Sequence, residues 1–144
     1  MRQLKFRVWD KLEKRFIYPD KGYQGHYVLD LNGRFQNLQN GSGGDEYVVQ
    51  QWTGLKDKNG KEIYEGDIVN VQRSFTRPYI KDGKIEYKTI DGGLEIGQVV
   101  WWMIKAAFLI AYKSYDDMDD FRYLSYSYEV IGNIFEHPEL LKNE

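Results

Sequence analysis

The sequence predicts a mainly β fold of short antiparallel strands, with an α+β arrangement as the alternative. Three observations predict it. Apolar and polar residues alternate with period two, as in Leu4-Lys5-Phe6-Arg7-Val8, the spacing of a strand buried on one face. Aromatic residues, which suit a pleated surface, make up 16% of the 144 residues, with 12 Tyr and 4 Trp. Turn pairs such as Asn32-Gly33, Asn59-Gly60 and Asp82-Gly83 punctuate the chain at short intervals, and such pairs between extended runs are hairpin cues.

In chain order, Leu4, Phe6 and Val8 share one face of the first strand, and Lys5 and Arg7 the other, with Trp9 on the Lys5/Arg7 side. Residues 10–14 form a charged turn. Phe16-Ile17-Tyr18 is the returning strand, ended by Pro19, which lacks a donor and restricts the residue before it. Residues 20–25 are a loop. Residues 27–31 and 34–38 are extended around Asn32-Gly33. Residues 40–44, rich in glycine, form a surface loop without the strand-to-helix setting of a phosphate cradle. Residues 46–52 return to a strand pattern.

Residues 52–71, WTGLKDKNGKEIYEGDIVNV, are the most legible stretch. Asp57-Lys58-Asn59-Gly60 is a tight turn, since Asp and Asn bond their own backbone and Gly reaches positive φ at no steric cost. A short extended piece leads to a second turn at Gly66-Asp67, then to the β-branched strand Ile68-Val69-Asn70-Val71. Asn59, Gly60, Gly66 and Asp67 are therefore assigned structural turn roles. Farther on, Phe75, Pro78 and Tyr79 fall in a less regular segment. Lys81-Asp82-Gly83-Lys84 turns, and Asp91-Gly92-Gly93 turns again. A long hairpin projecting near residues 73–96 is expected. Its Lys81, Lys84 and Lys88 sit beside Asp82, Glu86 and Asp91 in sequence, so it does not read as a basic arm. Residues 97–102 and 106–112 are neighbouring strands, with a helix over 102–112 as the competing reading. Residues 116–120 form a solvated acidic turn, 121–128 a strand, and Pro138 opens a single closing turn.

The stretch TGLKDKNGKEIYEGDIV closely resembles the signature of the YopX family of phage and prophage proteins of unknown function. Residues 5–10, KFRVWD, are similar to that family's opening, and residues 129–136, EVIGNIFE, with Pro138-Glu139-Leu140-Leu141, to its close. The resemblance spans nearly the whole chain and matches least between Arg73 and Glu95. It implies a phage or prophage accessory protein and brings no catalytic residues. One unit over 1–144 is expected, with two subdomains, 1–52 and 53–144, as the finer division. The strands and turns around Gly66-Asp67-Ile68-Val69 suggest, by analogy, a small SH3-like barrel in the C-terminal half.

Composition narrows the function. Hydrophobic residues, at 42%, suffice for a core. The 20 basic and 22 acidic residues leave a formal charge of −2, so no global field steers the chain to nucleic acid. The absence of cysteine excludes disulfides, thiolate zinc sites and cysteine nucleophiles. No apolar secretory segment follows Met1-Arg2-Gln3, and the longest apolar run, residues 99–104, is far shorter than a membrane span. A soluble protein of the host cytoplasm is expected, with no membrane partner.

Catalytic signals are weak. Counted from Asp57, the sixth residue is Glu62 and the twelfth Ile68, not the glycine and acid of a calcium loop. His26 and His137 lie in no ligand motif. Glu62, Glu65 and Asp67 are the nearest approach to clustered carboxylates, and they carry a lower-ranked reading as a metal-assisted hydrolase. No catalytic residue, metal or cofactor is assigned. Binding candidates are Lys5, Arg7 and Trp9 on one strand face, Arg73, Arg77 and Tyr79 on a second, and Trp101 and Trp102, with Tyr126 and Tyr128, as interface anchors. Each also fits an ordinary strand face or core. The favoured function is protein–protein binding, to a phage or host protein or to a second copy, with nucleic-acid binding as the alternative.

Overall fold

The computed structural model describes residues 3–18, 27–39, 41, 43–113, 118–121 and 126–142. Pro19, the 20–25 loop, His26, Asp116 and Asp117 lie outside them. The chain divides into two compact units, Met1–Leu55 and Lys56–Glu144.

In the first unit, β1 (Phe6–Asp10) pairs antiparallel with β2 (Arg15–Ile17) and with β5 (Tyr47–Lys56), and β3 (Tyr27–Leu29) pairs with β4 (Phe35–Asn37). Val8 stands opposite both Ile17 and Val49. Val8, Ile17 and Phe35 form the buried core, with Tyr27, Leu29, Tyr47 and Val49 packed on it. The charged turn after β1 is held by its own first residue: the Asp10 Oδ1 accepts the N–H groups of Leu12 and Glu13, both at 3.0 Å.

The second unit holds β6 (Glu62–Tyr64), β7 (Asp67–Lys81), β8 (Lys84–Trp102), β9 (Ala107–Tyr112), β10 (Met118–Asp120) and β11 (Ser127–Asn133), then a short 3-10 helix, Pro138–Leu141, with proline in its first turn. Five strands form one antiparallel sheet in the order β10-β9-β8-β7-β11. This sheet is the half-barrel of a mainly β fold and occupies the part of the chain where a small barrel is expected. Ile63, Val69, Val71, Val99, Ile110 and Tyr112 form its core, covered by Phe108, Phe121, Tyr126, Tyr128 and Val130.

The structure corrects several local expectations. Phe75, Pro78 and Tyr79 lie within the unbroken strand β7. β11 pairs with that strand as far as Gln72, and among the described residues Pro78 has no strand partner on that edge of β7, the place a sheet tolerates proline. Asp91-Gly92-Gly93 is a bulge within β8 rather than a turn: Arg73 pairs with Gly93 and Ser74 with Asp91, leaving Gly92 as the extra residue. A Cβ on Gly92 would stand 2.3 Å from Phe75 Cε2. Residues 102–112 are not helical; the chain turns over 103–106 and enters β9. The described end of the acidic segment, Met118–Asp120, is a strand paired with β9.

Candidate functional site

The signature turns are fastened from several sides. The Asp57 carboxylate is buried. Its Oδ1 accepts N–H bonds from Asn59 and Lys61, both 2.9 Å, and its Oδ2 accepts one from Val130 of β11 at 2.9 Å. Burial works against ionisation, but these three donors, with the Lys61 charge, outweigh it and hold the carboxyl below its ordinary value. Lys58 N–H donates to the Tyr128 carbonyl at 2.8 Å. Gly60 closes the turn at φ 83° and Gly66 the next at φ 82°, both in the left-handed region. Gly66 N–H reaches the Val99 carbonyl, while its own carbonyl accepts Ile134 N–H. Asp67, 1% exposed, accepts Tyr64 N–H at 2.8 Å.

The closing motif works in the same manner. Asn133 Oδ1 accepts the N–H groups of Phe135 and Glu136, and its Nδ2 donates to Glu136 Oε1 at 2.9 Å. The His137 ring lies against Gly132, where an added Cβ would stand 2.8 Å from Nδ1. The residues of both motifs are thus engaged in building turns.

Among the described residues the carboxylates singled out in the sequence do not converge on a metal site. Glu62 Oε2 accepts the Tyr64 hydroxyl at 3.2 Å, and Asp67 caps its own turn. Among the described residues, no group of three or more His, Asp or Glu side chains could hold a metal. A recess of 230 Å³ in the first unit is lined by Asp10, Glu13, Arg15, Tyr27, Glu46 and Tyr47 among others, and the oxygen Oδ1 of its Asp10 is occupied by the turn bonds described above.

The binding candidates separate by exposure. Arg7 is 4% exposed, its Nε donating to Gln50 Oε1 at 2.9 Å and its guanidinium lying 4.3 Å from the Phe16 ring centroid. Trp9, also buried, packs edge-on against Phe16. Lys5 is half-buried with its ammonium over Trp52. Arg73 is half-buried over the Tyr112 ring at 4.8 Å. By contrast, Arg77 is exposed on the distal hairpin, and Tyr79, on its face, donates to Glu86 Oε2 at 2.8 Å. That bond, with slight burial, raises the Tyr79 phenol above its ordinary pKa. Trp101 is exposed and stacks edge-on against Phe108 at 4.9 Å. Trp102 follows it, then Met103 and Ile104, which are 84% and 85% exposed.

The hairpin register sorts side chains that the sequence interleaves. Asp82 and Gly83, at φ 52° and 75°, make the two-residue turn, with both central residues left-handed as strand twist requires. Cross-strand partners share a face. Lys81 opposes Lys84, Tyr79 opposes Glu86, Arg77 opposes Lys88, and Phe75 opposes Ile90, all on one face. Ile80/Ile85, Pro78/Tyr87 and Thr76/Thr89 occupy the other. The segregation of Lys81, Lys84 and Lys88 with Arg77 is therefore missed when charges are read along the chain. Pairing outward from Asp82-Gly83 is the signal that finds it.

A small antiparallel β protein, with exposed aromatic, apolar and cationic side chains and no catalytic cluster among its described residues, is the class these features define. The chain belongs to the YopX protein family, whose model matches residues 5–142. Two solved structures are similar. Protein EF1440 from Enterococcus faecalis is 28% identical, with 97% of this chain and 99% of that chain covered at a TM-score of 0.52. Protein yopX from Bacillus subtilis is 19% identical, with 97% of each chain covered at a TM-score of 0.58. Comparison with curated protein sequences gives no match. No helix among the described residues is long and apolar enough to cross a membrane.

Proposed function

We propose that the protein is a non-enzymatic phage or prophage accessory factor that acts in the host cytoplasm by protein–protein association. The observation carrying this reading is the run Trp101-Trp102-Met103-Ile104 at the β8–β9 turn, four large apolar side chains exposed in succession. Exposed apolar residues gathered around one turn suit an interaction surface, with Trp101 and Trp102 on opposite faces of β8, and tryptophan is the residue most enriched among binding hot spots. The Phe108 ring against Trp101 holds one anchor in a fixed orientation, which lowers the ordering cost of binding.

Sedimentation across a concentration series tests self-association, and cross-linking in lysogenic cells tests a different partner. The double variant Met103→Asp/Ile104→Asp is expected to abolish the oligomer or the cross-link while leaving the circular dichroism spectrum unchanged. A chain that stays monomeric, and whose cross-links are identical in the variant, would sink the proposal.

A further inference from the structure

The face of the distal β7–β8 hairpin that holds Arg77, Tyr79 and Lys81 of β7 carries a second chemistry, separate from the apolar run at the β8–β9 turn. Arg77, Lys81, Lys84 and Lys88 share it, all exposed, and Glu86 is the one carboxylate among them. Asp82 lies in the turn, and Asp91 pairs with Ser74 beside the bulge. Among the described residues, none of the four cations takes part in an ion pair.

Their arrangement costs stability. Arg77 stands directly opposite Lys88 and Lys81 directly opposite Lys84, and like charges in directly opposed positions destabilise a sheet. Two such rungs on one hairpin are a local conflict of the sort that functional sites retain. An anion laid along the face relieves both.

Two aromatic rings interleave with these charges. Phe75, 45% exposed, packs edge-on against Tyr126, with ring centroids 5.8 Å apart. Tyr79 is fixed by its bond to Glu86, with the Lys88 ammonium 5.8 Å from its ring centroid. Along β7 the order is Phe75, Arg77, Tyr79, Lys81, a ring–cation–ring–cation series, with successive members about 7 Å apart at ordinary strand rise. Gly92 matters here because any larger residue would strike the Phe75 ring.

We infer that this face binds single-stranded nucleic acid, the four cations contacting phosphates and the Phe75 and Tyr79 rings stacking on unpaired bases. Alternating cations and stacking platforms are the means by which proteins hold single strands without sequence readout. A duplex would satisfy the cations but offer the rings no unpaired base. An acidic peptide carries no ring beside each charge as a matter of course, whereas a single strand supplies one base per phosphate. The formal charge of −2 on the whole chain does not oppose this, because phosphates within a Debye length respond to the local face.

The test is fluorescence anisotropy of the full chain with labelled oligo-deoxythymidine and oligo-uridine, roughly 12 nucleotides long, across a salt series. Binding to at least one is expected, with log affinity falling at a slope of about −3 for four phosphate contacts. Lys84→Glu/Lys88→Glu converts both like-charge rungs to opposite-charge rungs, so the hairpin is retained while binding falls more than ten-fold and the salt slope collapses. Tyr79→Leu is expected to weaken binding by about ten-fold with the slope unchanged, a result that a purely electrostatic surface would not give.

No binding at low salt overturns the inference. So does undiminished binding by the Lys84/Lys88 variant. Equal affinity for duplex or polyglutamate, with Tyr79→Leu silent, overturns it in favour of a generic polyanion surface. Association through Met103 and Ile104 is read separately and is expected to persist in the Lys84/Lys88 variant.

Discussion

Replacing Asp57 with asparagine keeps the side chain's size and one acceptor but removes its charge and turns one oxygen into a donor. The amide oxygen is best spent on the two turn N–H groups, Asn59 and Lys61, which converge on a single oxygen. The amide nitrogen then faces Val130 N–H, donor against donor, where a carboxylate oxygen had accepted at 2.9 Å. A hydrogen bond to a charged group and the orphaning of a partly buried donor together predict a loss of about 2–3 kcal/mol. Because the wild-type carboxyl is held below its unfolded-state value, the folded chain binds that proton more weakly than the unfolded chain. The contribution is therefore present in full above the ordinary carboxyl value of 3.8 and drains away as pH falls through the lower folded value. Urea unfolding of Asp57→Asn and wild type, followed by tryptophan fluorescence from neutral to acid pH, reads both parts. The midpoint should drop at neutral pH with the slope against urea unchanged, and the gap to wild type should narrow in acid. A neutral-pH difference below about 0.5 kcal/mol, within the range of surface substitutions, or a gap that does not narrow, would refute the reasoning.

Three further outcomes follow from the same geometry. Lys58→Ala removes an exposed ion pair with Glu129, 2.7 Å long, and should cost less than about 1 kcal/mol in the urea assay, falling further in high salt. Gly97→Ala places a Cβ 2.4 Å from Ile110 Cγ2 and 2.9 Å from the Ala111 carbonyl oxygen; an overpacking loss of about 1–3 kcal/mol is expected in thermal or urea unfolding. Tyr112→Phe removes a 2.7 Å bond to Asp119 that ties β9 to β10. Burial first, then that bond to Asp119, holds the Tyr112 phenol far above its ordinary value. Urea unfolding should show a loss of about 0.5–1.5 kcal/mol for this variant, and an unchanged midpoint would refute the tie.

Much of the fold was legible because turn chemistry is local. Asp57-Lys58-Asn59-Gly60 and Asp82-Gly83 specify their turns within four residues, and β1 and β2 follow from alternation around a charged turn. The pairing of distant strands is where local reading fails. Asp91-Gly92-Gly93 has the composition of a turn, yet Arg73 and Ser74, nearly twenty residues upstream, make it a bulge by pairing on either side of Gly92. Pro78 resembles an interruption until its pairing with Tyr87 across the hairpin is seen. The candidate surface was half legible for the same reason. Arg77 and Tyr79 stand out along β7, but Lys84 and Lys88 join them only when the hairpin register is applied. Arg7 and Trp9 show the opposite case. Their alternation fits an exposed face, whereas Phe16 and Gln50, contributed by two other strands, enclose them.

The bond between Asp57 and Val130 also bears on how the chain is made. Its two ends lie 73 residues apart in sequence. On a ribosome adding 5–20 residues per second, the turn would wait about 4–15 s for the acceptor's partner to be synthesised. During that interval Asp57 can hold only its local donors, and β7 lacks the neighbour on its outer edge. Completion of the signature turn is thus a late event that reports arrival of the C-terminal strand. A nascent chain stalled before Val130 would present β7 as an open edge, the form most prone to pair with another chain.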